Sequence, residues 1–221
     1  MKKIKVLVSC LVLSSFVLAG CSDAGEPFEE KSYTPDAPIA GISLDVRDRE
    51  IEVALSEDEQ VHIRYSENSK ESYEISVSDE RVLTMECVSD KKWTDYIGGK
   101  KPVENDRKIL LQIPDGCLET LTLATTNENI ALSDISVAGS VSISANGGNI
   151  AFEGLDVGDG ATLSVKNGDI LGTIAGSADE FAIHSEIKKG ENNLPDQKDG
   201  GEKTLNLFGN NGEIRIEFLN R

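Results

Sequence analysis

The chain has 221 residues, of which 39 are acidic and 22 basic, for a formal net charge of −17. Such a surface repels nucleic acid, and no basic patch with interleaved aromatics offsets it. The length suits one large domain or two small ones.

The first 20 residues read as a targeting segment. Lys2, Lys3 and Lys5 precede an apolar run from Val6 to Leu18. That run is too short to span a bilayer, which takes about 20 apolar residues. It ends in Leu18-Ala19-Gly20-Cys21, which resembles a bacterial lipobox. The resemblance implies cleavage between Gly20 and Cys21, lipidation of Cys21, and a place on the extracytoplasmic side of the cell membrane. One acyl chain anchors only marginally, so stable attachment takes two or three. Residues 21–38 then read as the lipidated Cys and a flexible acidic tether, too polar and proline-bearing to bury a core.

From Ile39 onward apolar residues recur at every second position, so the expected class is all-β. Ile51, Val53 and Leu55 alternate with polar residues, as do Val61, Ile63 and Tyr65. Tyr73, Ile75 and Val77, then Leu83, Met85 and Cys87, continue the pattern. Short polar links between these runs predict an antiparallel β region over 39–118. Residues 88–107 break the alternation with a long loop carrying Trp93 and Tyr96, the candidate partner contacts. Ile109, Leu111 and Ile113 resume it.

The second half, 119–221, repeats itself. Leu121, Val141 and Ala161 recur at an interval of twenty, as do Ile130, Ile150 and Ile170. Ile135, Leu155 and Ala175 follow the same interval, and Phe181 and Ile183 continue that of Ala161 and Leu163. Asn127, Asn129, Asn146, Gly147, Asn167, Gly168, Asn211 and Gly212 sit at the corners, where left-handed backbone is tolerated. Fixed intervals of nine and twenty have no cause in a plain hairpin series. They predict a β-solenoid, a single-stranded β-helix with about 20 residues per turn.

The phrases "TTNENIALSDISVAGSVSISANGGNIAFEG" and "VKNGDILGTIAG", with the ending "LFGNNGEIRIEF", resemble a bacterial adhesin-like domain of unknown function. The resemblance covers about residues 39–218. It implies a β-solenoid, an envelope-exposed location and no enzymatic activity. It supplies no catalytic residues to carry over. A role beside envelope-stress signalling, through a membrane partner, is an alternative it also implies. Asn127-Glu128 departs from the family's Asn-Gly corner, and Gly147-Gly148 reads as one residue added.

The chemistry-bearing residues are sparse. His62 and His184 occupy polar positions of alternating strands and carry no ligand spacing. No G-x-S-x-G, P-loop or G-x-G-x-x-G occurs. Asp156 and Asp159 would offer at most a weak Ca²⁺ contact, and no cofactor or other metal is expected. A carbohydrate-active β-helix enzyme would need a cation beside paired carboxylates, and residues 120–179 contain only Lys166. Cys87 and Cys117 are the pair free to form a disulfide in an exported chain. The expected partners are the membrane, through the lipid, and an envelope protein or cell-wall glycan.

Overall fold

The computed structural model describes residues 26–89 and 103–219. The alternating pattern yields strands throughout. In chain order they are β1 (Glu29–Tyr33), β2 (Gly41–Asp45), β3 (Glu50–Leu55), β4 (His62–Glu67), β5 (Glu71–Val77), β6 (Val82–Ser89), β7 (Lys108–Ile113), β8 (Thr120–Thr125), β9 (Ile130–Ser133), β10 (Ser136–Val137), β11 (Ser140–Gly147), β12 (Ile150–Val157), β13 (Gly160–Asn167), β14 (Ile170–Ala175), β15 (Phe181–Asn192), β16 (Gln197–Lys198) and β17 (Lys203–Leu219). Two short 3₁₀ turns, Glu104–Arg107 and Ala178–Glu180, are the helical segments among the described residues.

The strands stack as two walls around one core. The first wall runs β5, β6, β2, β8, β11, β13, the first half of β17, β15 and β16. The second runs β1, β4, β7, β3, β9, β12, β14 and the second half of β17. From β6 to β15, and from β7 to β17, neighbours are parallel, as successive coils of a solenoid must be. Each coil turns its alternate side chains inward. Leu121, Leu123, Ile130 and Leu132 belong to one coil, Val141, Ile143, Ile150 and Phe152 to the next, and all are at most 3% exposed. Burial of a side chain of this size contributes about 1.5–3 kcal/mol, so a coil gains on the order of 10 kcal/mol before chain entropy is subtracted. That gain needs a neighbour on both sides.

The expected twenty-residue registers hold in the middle: Leu121, Val141 and Ala161 are stacked, as are Ile130, Ile150 and Ile170. Two registers differ from expectation. Leu155 pairs with Ile174 rather than Ala175, because a bulge at Gly154 takes up one residue. Gly154 has φ +60°, and its N–H donates to Thr173 Oγ1 at 2.8 Å. The second difference is larger. Ile183 pairs with Leu205, and Leu205 with Ala161, so β15 is shifted by two residues and does not touch β13. The C-terminal strand β17 lies between them. Its Leu205 and Leu207 bring two leucines opposite Ala161 and Leu163, where β15 would bring Ile183 and Ser185. The turn at Ala178–Glu180, closed by a capping box between Ser177 and Glu180, lengthens the return path.

Residues 39–118 contain the expected antiparallel pairs, β1–β4, β4–β7 and β5–β6. They also contain two coils of the solenoid. Ile42 stacks on Leu121 and Ile51 on Ile130, so β2 and β3 keep the same nine-residue interval as the later units. Strands β6 and β7 form a further coil outside them. The buried cluster runs from Ile39 to Ile216 without a break at residue 118. The coil order from end to end is therefore β6–β7, β2–β3, β8–β9, β11–β12, β13–β14, β17, β15. Both ends depart from chain order.

The expected tether is shorter than its composition suggests. Residues 29–33 form β1 on β4, Lys31 pairs with Glu67 at 2.8 Å, and Tyr33 packs against the core. Open strand edges invite pairing with other chains. Here antiparallel β4 and β5 cover one end, and β16 covers part of the other. Asn193 completes the second end: its side chain donates to Ile216 O at 2.8 Å and accepts from Ile216 N–H at 2.9 Å, as a strand residue would.

Candidate functional site

Four groups of residues carry chemistry. The first is a buried ion pair in the N-terminal coils. Arg49, at the corner between β2 and β3, is 1% exposed. Its Nη2 donates to Glu71 Oε2 at 3.0 Å, and Nη1 to Asp48 O at 3.1 Å. The Phe28 ring lies 5.6 Å from Cζ. Burial works against the Arg49 charge, but Tyr73 and Glu71 outweigh it and its pKa lies above the ordinary arginine value. Burial pushes the Tyr73 hydroxyl up to about 12 despite Arg49, and pushes the nearby Cys87 thiol up as well. A raised thiol pKa means a protonated, unreactive sulfur at neutral pH. The cluster clamps β5 and the Phe28 segment onto the solenoid corner.

The second group is a hydroxyl–imidazole–carboxylate chain that the sequence did not suggest. Thr34 Oγ1 lies 2.8 Å from His62 Nδ1, and His62 Nε2 lies 2.9 Å from Asp58 Oδ1. The order of groups is that of a nucleophile relay, but Thr34 and Asp58 are exposed on an open turn. Asp58 also accepts from Ser56 Oγ and Gln60 N–H, both at 2.9 Å. Its carboxyl is lowered to about 2 by the His62 hydrogen bond and those of Gln60 and Ser56. Nothing here shields a reacting centre from water, as acyl transfer requires. The chain of contacts pins the end of β1 to the 56–60 turn.

The corners form the third group. Asn129 Oδ1 accepts from Asn149 N–H at 2.8 Å, Asn149 Oδ1 from Asp169 N–H at 2.9 Å, and Asp169 Oδ1 from Glu213 N–H at 2.8 Å. Asn211 Nδ2 donates to Asn167 Oδ1 at 2.8 Å. Gly147 stands level with Asn167 and Asn211, so Gly148 is level with Gly168 and Gly212, and no residue is added at Gly147-Gly148. Asn146 falls one residue before this column. Asn149 and Asp169 were not anticipated, although each follows its predecessor by twenty. These amides and the Asp169 carboxylate bind coil to coil.

The fourth group is the outward side of the first wall. One row crosses nine strands in register: Ser76, Thr84, Ser43, Thr122, Ser142, Thr162, Asn206, His184 and Gln197. Every member carries a hydrogen-bonding side chain and none carries a formal charge, counting histidine neutral. Asn206 Nδ2 donates to Thr162 Oγ1 at 3.3 Å, and His184 Nδ1 lies 3.1 Å from Gln197 Oε1. The next row brings Ala124, Ser144, Ser164 and Phe208 alongside. The Phe208 and His184 rings are 5.4 Å apart and inclined at 56°.

The remaining expected sites fall out as follows. Cys87 and Cys117 are free thiols. Cys87 lies near the end of β6, while Cys117 precedes β8, whose start is level with Val82 through Gly41. The strand from Val82 to Cys87 separates them by roughly 15 Å, and a disulfide needs Cα atoms within about 7 Å. Asp156 Oδ1 faces Lys203 Nζ at 3.9 Å, and Lys203 also reaches Glu180 at 3.6 Å. The inserted β17 thus brings a cation that the local sequence lacks, and it occupies the carboxylate set aside for Ca²⁺. No group of three metal-ligating side chains occurs among the described residues. Gly20, Cys21, Trp93 and Tyr96 lie outside the described residues.

Over residues 39–218 the chain matches the family Toastrack DUF4097. The chain belongs to that family. The Toastrack match begins before β2, in agreement with the solenoid starting there. Among solved structures, a proposed cell adhesion protein from Clostridium sporogenes ATCC 15579 is similar at 12% identity. That alignment covers 87% of this chain and 100% of the other, with a TM-score of 0.63. A proposed adhesin from Bacteroides fragilis NCTC 9343 aligns at 13% identity over 87% of this chain and 98% of its own, with a TM-score of 0.37. No curated protein matches the chain. At such identities the likeness to the clostridial protein is one of fold, and the Toastrack chain shares its architecture.

Proposed function

We propose that this Toastrack protein is a lipid-anchored module of the cell envelope that binds a partner without chemically altering it. One observation carries the reading: the first wall presents an uninterrupted row of nine hydrogen-bonding side chains, all of them half-buried or exposed. Enzymes and small-ligand proteins gather polar groups in concave sites. An open, repeating face suits an extended partner. The likeness in fold to a proposed cell adhesion protein supports a surface role. The lipobox-like Leu18-Ala19-Gly20-Cys21 supports the anchor.

An anchor at Cys21 leaves few residues before the described domain begins at Glu26. At about 3.5 Å per residue, these span less than about 20 Å. The domain would then stand close to the membrane with its N-terminal coils nearest. Membrane fractionation tests the anchor. Wild-type protein is expected with the membranes and Cys21→Ser in the soluble fraction. Co-sedimentation with intact envelopes stripped of the protein tests the binding role. An absence of retention would refute it.

A further inference from the structure

We infer that the centre of the first wall binds a neutral polysaccharide chain lying across the strands, with Phe208 and His184 as its aromatic end. The inference rests on the binding role proposed above and names the site and the class of ligand.

The charge distribution gives the first argument. In this chain 28% of residues are charged, and charges normally concentrate on the surface. Yet the central outward positions of four adjacent strands carry none. They are Thr120, Thr122 and Ala124 on β8; Ser140, Ser142 and Ser144 on β11; Gly160, Thr162 and Ser164 on β13; and Thr204, Asn206 and Phe208 on β17. Charges of both signs return at the borders, with Asp45 beside Ala124, Glu186 beside Phe208, Lys166 next outward on β13 after Ser164, and Lys188 next outward on β15 after Glu186. A polyanion finds no cation within this block, two lysines at one edge only, and a chain of net charge −17 around it. A neutral ligand meets neither obstacle.

The side chains give the second argument. Hydroxyls both donate and accept, and so do the Asn206 amide and the neutral imidazole. With Gln197 Oε1 facing Nδ1 of His184, the neutral ring keeps its proton there and leaves Nε2 to accept from a ligand hydroxyl. Successive strands place such groups about 4.8 Å apart, so a polymer of repeating hydroxyl-bearing units meets the same chemistry at each strand. The partly exposed Phe208 ring adds an apolar contact for the C–H face of a sugar. A protein partner fits less well. Protein hot spots are enriched in Trp, Tyr and Arg, and the block is built from the Ser and Thr types that are scarce there.

The test is direct binding of the full-length protein in detergent to immobilised dextran, mannan and β-glucan, with alginate and polygalacturonate as anionic controls. Phe208→Ala removes the aromatic contact, and Ser142→Asp puts a charge in the middle of the row. Ala151→Asp puts the same charge on the outward side of the second wall, at an exposed position. Wild type and Ala151→Asp are expected to bind at least one neutral polymer. Phe208→Ala should bind it about fivefold to tenfold more weakly, and Ser142→Asp should lose it. Equal binding by all four proteins would overturn the site while leaving the binding role intact. Retention on intact envelopes without binding to any neutral polymer, or capture of an envelope protein alone, would overturn the ligand class and keep that role. Failure on both would overturn both.

Discussion

Gly168 sits at a corner where two coils come close, and its replacement by alanine measures how strictly the stack is held. A Cβ there would lie 2.1 Å from Gly148 O and 2.7 Å from its carbonyl carbon. A carbon normally keeps about 3.3 Å from a carbonyl oxygen, so the coils must part by about 1 Å at this corner. Parting them stretches the bond from Gly148 N–H to Asn167 O, now 3.1 Å, and strains the neighbouring ladder contact from Asp169 N–H to Asn149 Oδ1. Each such bond is worth about 1 kcal/mol. The backbone at φ +154° adds strain of about 1–2 kcal/mol for any residue with a Cβ. The total expected for Gly168→Ala is about 3–5 kcal/mol. Gly200→Ala is the control, since Gly200 has φ +92° but no atom within 4 Å of its virtual Cβ. It should lose only the strain, about 1–2 kcal/mol. Urea unfolding followed by circular dichroism reads the difference as a midpoint about 1 M lower for Gly168→Ala than for Gly200→Ala, with slopes unchanged. Coincident midpoints would refute the claim that carbonyl-to-glycine contact sets the coil spacing.

Three further outcomes follow from the polar clusters. Arg49→Met removes the buried ion pair with Glu71 and should cost about 3–5 kcal/mol in the same urea assay; adding Glu71→Met should recover most of it. Tyr73 binds its proton more tightly folded than unfolded, so its contribution is complete below pH 10 and lost as pH rises through about 12. That loss is at most about 2–3 kcal/mol, and Tyr73→Phe should flatten the stability profile between those values. Asp58 behaves oppositely: its lowered carboxyl favours the fold above the ordinary value of 3.8, and this is lost as pH falls through about 2. An NMR titration of the Asp58 carboxyl should show a midpoint near 2 that moves toward 3.8 in His62→Ala; an unmoved midpoint would remove His62 as the cause.

The middle of the fold is legible because every interior unit repeats one set of constraints. Inward side chains, a corner and a return recur at intervals that only stacking explains, as Leu121, Val141 and Ala161 show. The ends resist such reading because stacking order is not chain order. Ile42 and Ile51 carry the same nine-residue signal, but a long excursion separates them from the coil they touch. Phe181 and Ile183 fit the expected interval numerically, while Leu205 and Leu207 fit the core better. The candidate site divides the same way. Ser43, Thr122, Ser142 and Thr162 stand as the polar half of an alternation, but only the pairing of β15 with β17 places His184 and Phe208 beside them. Likewise Lys203 is remote in sequence from Asp156 and close in space.

The displaced coils at the two ends have a consequence for how the molecule can vary. A solenoid whose coils simply followed one another could gain or lose one anywhere, including at an edge. Here β2–β3 are held between β6–β7 and β8–β9, and β17 is held between β13–β14 and β15, so each end is an interlocked piece that cannot be trimmed without opening an interior seam. The stretch from β8 to β14 is the part free to change in number. An added twenty-residue unit with its own corner glycine and ladder amide would slot in there. It would lengthen the uncharged face by one strand, about 4.8 Å, and leave both end pieces as they are. The reach of the binding surface is thus adjustable independently of the devices that close the fold.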